Sequence, residues 1–262
     1  MTYTRLFIDD DLRPGKASHL DGEKAHYLGR VLRLRAGDAL TVFNGRDGEF
    51  SATVNSIAKN QAALLLGEPL ESSAESALKI HLVQGISRGD RMDFVVQKAT
   101  ELGVKRITPV LTRHGVVRLD GARALKRRRH WQGIAESACE QCGRMRPPLI
   151  DPPAELNAWF GNRTAEADTD LILRPGASLA LAAVARPATK ICLLIGPEGG
   201  FSDKEYEDAD AADFKFVSLG PRTLRTETAA LAAVTVAQTL WGDLGVTPPK
   251  VLPSDSRQSL LR

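Results

Sequence analysis

Cysteine is scarce in this sequence. The 262 residues hold three, too few and too odd in number for the disulfide framework of a secreted protein, and a reducing cytoplasm is the expected compartment. Long hydrophobic runs are missing too. The most apolar stretch, Ala229 to Leu240, falls short of the roughly 20 residues of a membrane-spanning helix and carries two threonines and a glutamine, so it reads as a buried soluble helix. No basic segment followed by an apolar one opens the chain: Met1 to Leu12 already carries Arg5 and three aspartates, and no signal peptide is expected. Neither Gly-Lys-Ser/Thr nor Gly-x-Gly-x-x-Gly occurs in a glycine loop, which demotes P-loop triphosphate chemistry and dinucleotide binding. The lone Cys139-Glu-Gln-Cys142 has no second pair to complete a zinc site, and it ends a helix where redox pairs begin one, so no metal is expected.

The net charge of +3 hides an uneven distribution. Residues 1–70 balance nine basic against nine acidic side chains, residues 79–146 carry fifteen against six, and residues 147–262 carry eleven against fifteen. A basic middle containing Lys126-Arg127-Arg128-Arg129 can neutralise phosphates and gain affinity by counterion release; a solvated helix face is the plainer alternative.

Turn pairs Gly37-Asp38, Asn44-Gly45 and Asp47-Gly48 punctuate the β-type runs 39–43, 49–54 and 62–66. A strand at 5–8 and a helix over 23–33 precede them, which predicts a small, mostly β module. Residues 67–76 lack apolar periodicity and predict a linker, with the boundary near 70–78. Beyond it, strands at 80–83, 107–111, 170–173, 191–195 and 214–219 alternate with helices over 91–102, 121–142, 203–212 and 226–241. That alternation predicts an α/β domain with a mostly parallel sheet.

Two loops carry the functional inference. Gly196-Pro197-Glu198-Gly199-Gly200 follows a continuous apolar strand, with Ser202 or Asp203 placed to cap the next helix. Gly220-Pro221-Arg222-Thr223-Leu224-Arg225 follows the next strand, with Thr226 read as the helix cap and Glu227 in its first turn. In open α/β sheets small ligands collect at the carboxyl ends of strands, where glycines let them approach the backbone. Each loop alone could also be a turn that serves only topology.

Together the loops are more specific. Leu194 to Gly200 with Leu219-Gly-Pro-Arg-x-Leu-Arg-Thr-Glu-Thr-Ala229 resembles the ribosomal RNA small subunit methyltransferase E family of the SPOUT superfamily. The resemblance extends to Ser87–Met92, Gln97–Val104, Glu140–Arg144, Arg5–Phe7 and His26–Arg33, and so covers roughly residues 3–245. It implies an α/β protein with an N-terminal PUA-like β-barrel that binds RNA (1–72), a SPOUT-type methyltransferase domain with a trefoil knot (73–246) and a loose C-terminal tail (247–262). It also implies methylation of uridine N3 in 16S rRNA, on the 30S subunit, by a homodimer that uses S-adenosyl-L-methionine and no metal.

By resemblance, the methyl donor is held by Leu173, Leu194, Gly196, Pro197, Glu198, Gly199, Gly200, Leu219, Gly220, Leu224, Thr226 and Thr228. Arg225 is the expected stabiliser of charge on the uracil, because a fixed guanidinium acts best in a dry site. Glu227 or Glu198 could take the N3 proton if burial raised its pKa. Arg5, Arg30, Arg33, Arg88 and Arg144 are the expected RNA contacts. Within the superfamily a ribose 2′-hydroxyl or guanine N1 could replace uracil N3 as the acceptor, since similar donor loops would serve each. Two other classes remain: a non-catalytic RNA-binding protein, which would not bind the donor, and a thiol oxidoreductase, which requires a reactive Cys139.

Overall fold

A computed structural model describes residues 4–71, 74–164 and 167–245; the tail expected at 247–262 lies outside the described residues. The hairpin pattern of the first module becomes β1 (Arg5–Phe7), β2 (Ala17–Asp21), β3 (Ala39–Phe43), β4 (Glu49–Ile57) and β5 (Gln61–Leu70), in the sheet order β1-β3-β4-β5-β2. Two register shifts in the β4–β5 ladder curl this sheet around Leu6, Ile8, Val42, Val54 and Leu64. The sequence hides β2 because one of its inward positions is Ser18, whose hydroxyl donates to Asp10 Oδ2 at 2.9 Å instead of packing as a hydrocarbon. The helix expected over 23–33 is α1 (Gly22–His26) and then a π-turn over Tyr27–Val31, closed by Leu32 N donating to Tyr27 O at 3.0 Å.

The second region runs β6 (Lys79–Gly85), α2 (Arg91–Glu101), β7 (Arg106–Leu111), α3 (Gly121–Cys142), β8 (Leu149–Ile150), β9 (Ala154–Glu155) and α4 (Leu156–Asn162). It continues through β10 (Thr169–Leu173), β11 (Leu179–Ala180), β12 (Lys190–Ile195), α5 (Asp203–Ala211), β13 (Lys215–Ser218) and α6 (Thr226–Trp241). Its strands are parallel in the order β11-β13-β10-β12-β6-β7, with β8 and β9 both on β7.

Alternate residues of the central strands enter different layers, as the two-residue period of a strand requires. Leu82, Leu171 and Leu193 pack with Val95, Trp131 and Val234 on one face. Val83, Ile172 and Leu194 pack with Leu156 and Phe214 on the other. Both faces are covered, which is why these strands read as unbroken apolar runs. β12 lies between β6 and β10, and β13 between β10 and β11, so the two glycine-bearing loops emerge on either side of the β10 carboxyl end.

The expected linker is partly structural. β5 runs on to Leu70, Ser76 is buried with its hydroxyl donating to Gln238 Oε1 at 2.9 Å, and Glu75 pairs with Arg144 and Lys105. The module rests on α3 and the turn after it: Phe7 N donates to Glu140 Oε1 and Arg5 Nη2 to Arg144 O, both at 2.9 Å.

Candidate active site

A cavity of about 350 Å³ opens at the carboxyl ends of β10, β12 and β13. Leu173, Gly196, Pro197, Glu198, Gly200, Leu219, Gly220, Leu224 and Thr226 line it, together with Arg225. Gly200 N closes a turn on Pro197 O at 2.9 Å with φ at +68°, a conformation that a side chain would strain. The helix after this loop begins as expected: the Ser202 hydroxyl and the Glu205 carboxylate form a reciprocal cap on α5.

The second loop is joined to the first through Thr226. Its hydroxyl donates to Gly196 O at 2.6 Å and accepts from the fully buried Gln84 Nε2 at 2.9 Å. The helix cap is therefore Arg225, and Thr226 is the first residue inside α6, because its hydroxyl is committed to the neighbouring loop. Gln84 also donates to Gly85 O at 3.0 Å, which ties the end of β6 into the same cluster.

Three expected donor residues are placed elsewhere. Leu194 is fully buried in the layer under α4 and α5; register parity turns Ile195, not Leu194, toward the cavity. Gly199 faces a second cavity, and Thr228 is exposed on α6 away from the first. Unanticipated in the lining are Arg174 and Tyr206, with the Arg174 guanidinium 4.7 Å from the Tyr206 ring centre. Arg174 directly follows Leu173 at a strand's carboxyl end, a position that could have flagged it.

The second cavity, about 720 Å³, lies across the 196–200 loop and is bordered by Arg88, His114, Glu198, Gly199 and Glu227. Glu198 borders both spaces, with Oε1 accepting from Arg91 Nη1 at 2.6 Å and Arg88 N at 3.2 Å. Burial works to raise its carboxyl, but its own backbone amide, Arg91 and the Arg88 amide outweigh burial and hold it below the usual range. That direction is opposite to the raised pKa expected of a proton acceptor here. Glu227 differs: its Oε2 is buried without a hydrogen-bond partner.

The expected RNA-facing arginines divide. Arg30, Arg33 and Arg88 are exposed. Arg144 is 3% exposed, and its guanidinium donates to Thr100 O at 2.7 Å, Val104 O at 2.9 Å and Glu75, so it is an internal brace and not an RNA contact. Arg5 is likewise engaged, paired with Glu49 and lying 4.8 Å over the Phe43 ring. Cys139 is buried and its thiol donates to Cys142, which with burial pushes it well up, against the reactive Cys139 that a thiol enzyme requires. The same bond draws Cys142 down, but the pair lies at the carboxyl end of α3 and lines neither cavity.

The RNA methyltransferase domain family matches residues 74–238, and the RNA methyltransferase PUA domain family matches 20–66. The ribosomal RNA small subunit methyltransferase E of Buchnera aphidicola from Acyrthosiphon pisum is 35% identical over 91% of this chain and 94% of its own. A Legionella pneumophila protein solved in complex with the bound cofactor SAM superposes with a TM-score of 0.88 at 40% identity, covering 93% of this chain and all of that one. The Neisseria gonorrhoeae ribosomal RNA small subunit methyltransferase E, solved bound to S-adenosyl methionine, gives 0.85 at 37% identity over 92% and 99%. Built on the same architecture and matched along nearly its whole length, the chain belongs to the ribosomal RNA small subunit methyltransferase E family.

Proposed function

We propose that the chain transfers a methyl group from S-adenosylmethionine to N3 of a uridine in 16S rRNA. The observation that carries this reading is the single cavity into which nine residues of two glycine-bearing loops and neighbouring strand ends converge with Arg225, in a family whose solved members hold that donor. Its chemistry suits the ligand: apolar Leu173, Val217, Leu219 and Leu224 can enclose the adenosyl group, while loop amides and carbonyls read its polar edge.

Uracil N3 carries its proton at neutral pH, so the reaction needs help to remove that proton and to hold the charge that then spreads over the uracil oxygens. Arg225, exposed at the cavity wall, is the cation for the second task, and Glu227 is the carboxylate for the first.

The rest of the reading follows the family. Residues 1–72 act as the RNA-binding module and 73–246 as the methyltransferase domain; insertion of β13 between β10 and β11 before the return of α6 supports a knotted carboxyl end. A homodimer working in the cytoplasm on the 30S subunit completes it. Among the described residues no helix is long and apolar enough to cross a membrane. Mass spectrometry of 16S rRNA from a strain lacking the gene tests the activity: 3-methyluridine disappears and returns with the cloned gene. A different missing nucleoside refutes the acceptor, and unchanged rRNA refutes the activity.

A further inference from the structure

The donor cavity and the larger cavity across the 196–200 loop share Glu198 and the first turn of α6: Thr226 and Ala229 face the first, Glu227 the second. The second cavity brings three features together. Its floor holds Glu227, with Oε2 buried and unpartnered, a costly arrangement for a carboxylate with no ligand to meet. Its rim holds Phe94, a phenyl ring 45% exposed on a helix that otherwise buries its large apolar side chains. Its remaining wall includes the exposed side chains of Arg88 and His114, which can supply hydrogen-bond donors.

We propose that this cavity is the subsite for the unstacked acceptor uracil: the Glu227 carboxylate meets N3–H, the ring stacks on Phe94, one carbonyl oxygen faces Arg88 and His114, and the other faces Arg225 across the shared boundary. The assignment rests on the uridine reading above and adds the place and the orientation of the base. An enzyme that reacts at a base edge must take the base out of its stack and hold it by its pairing edge and its face, and these side chains offer both. A carboxylate acceptor at N3 favours uracil over cytosine, whose N3 carries no hydrogen. In the reaction, Glu227 takes the N3 proton, the nitrogen lone pair forms the bond to the sulfonium methyl, and the carbon–sulfur electrons return to sulfur. The products are 3-methyluridine, S-adenosylhomocysteine and a proton, which Glu227 releases to water.

The test uses the full chain, 30S subunits lacking the methyl group, radiolabelled S-adenosylmethionine and nucleoside analysis of the product. Glu227→Gln keeps the side chain's size, so donor affinity by calorimetry should stay within about twofold while kcat falls roughly a hundredfold or more, the usual range for general base catalysis. Phe94→Ala should raise KM for the 30S subunit about tenfold with kcat and donor affinity retained, in line with the loss of one stacked base. Wild-type kcat and KM in both variants, with 3-methyluridine still formed, overturn the subsite alone. Loss of donor binding in Glu227→Gln overturns it too, by returning that carboxylate to the donor site. A wild-type product other than 3-methyluridine overturns the activity reading and the uracil assignment with it.

Discussion

The donor cavity and the seam between module and domain both gather residues far apart in the chain, but they do so with different parts of the polypeptide. At the seam, arginine side chains reach inward and spend their donors on carbonyls and carboxylates: Arg144 on Thr100, Val104 and Glu75, and Arg5 on Glu49 and Arg144 O. At the cavity, backbone loops set the walls, and side chains such as Gln84 and Thr226 hold the loops while Arg225 stays at the surface of the space. An arginine committed inward is architecture; one held at a cavity wall is available to a ligand. Substitutions that touch stability in one region and chemistry in the other separate the two.

The largest effect belongs to the seam. Arg144→Ala leaves the largely buried Glu75 with Lys105 and the Arg146 amide but without its guanidinium partner, and takes the side-chain donor from Val104 O; loss of one partner from a buried ion pair costs about 3–5 kcal/mol. Urea unfolding should show that loss, and the protein that remains folded should bind S-adenosylmethionine with unchanged affinity. Weaker donor binding by the folded fraction would mean that the seam reaches the cavity.

Arg225→Ala is the converse. As the expected oxyanion-type stabiliser it should cost about 10²–10³ in kcat, with the urea midpoint and donor affinity unchanged. Near-normal turnover removes the role assigned to it. A shared loss of stability would place Arg225 with the structural arginines.

These two cases show what the sequence could and could not reveal. The parallel sheet and its four long helices were legible because both faces of the sheet are covered and the apolar runs are continuous. The cavity was legible because glycine-bearing loops directly follow two of those strands. Arg144 was not, since its charge looks like any other in the basic block, and only partners 40 and 69 residues away decide that it points inward. Leu194 was misplaced for a different reason: in a strand buried on both faces, composition gives no parity, and one residue's shift exchanges cavity for core. Thr226 looked like a helix cap because the chain around it is a good cap sequence, but a loop 30 residues back claims its hydroxyl.

Gly85→Ala probes the cavity from behind. A Cβ there would meet Pro197 Cδ and N at 2.5 Å, so the 196–200 loop must shift. Overpacking of this kind costs about 1–3 kcal/mol. Calorimetry should show it mainly as a tenfold or greater rise in the dissociation constant for the donor, because the loop that moves is a wall of the proposed donor site. A drop in stability with donor affinity intact would show that the fold absorbs the change on the side of β6 and that the loop is less tightly fixed than its bonds to Gln84 and Thr226 imply.

The smallest effect concerns the exposed arginines of the first module. Arg30 and Arg33 have no hydrogen-bond or ion-pair partner among the described residues, unlike Arg5, so if they grip RNA they do so through phosphates. Each lost phosphate contact lowers the slope of log affinity against log salt by about 0.7–0.9, a change that resolves even when the loss of affinity at one salt concentration is only a few-fold. Arg30→Ala is suited to the measurement, since Arg33 has φ at +55° and an alanine there would add backbone strain to the loss of charge. Arg30→Ala should reduce the slope for 30S subunits by about one contact and leave the slope for the donor untouched. An unchanged slope would place the RNA grip on the α3 face around Lys126–Arg129, and the module would then be a support for the catalytic domain and not its reader.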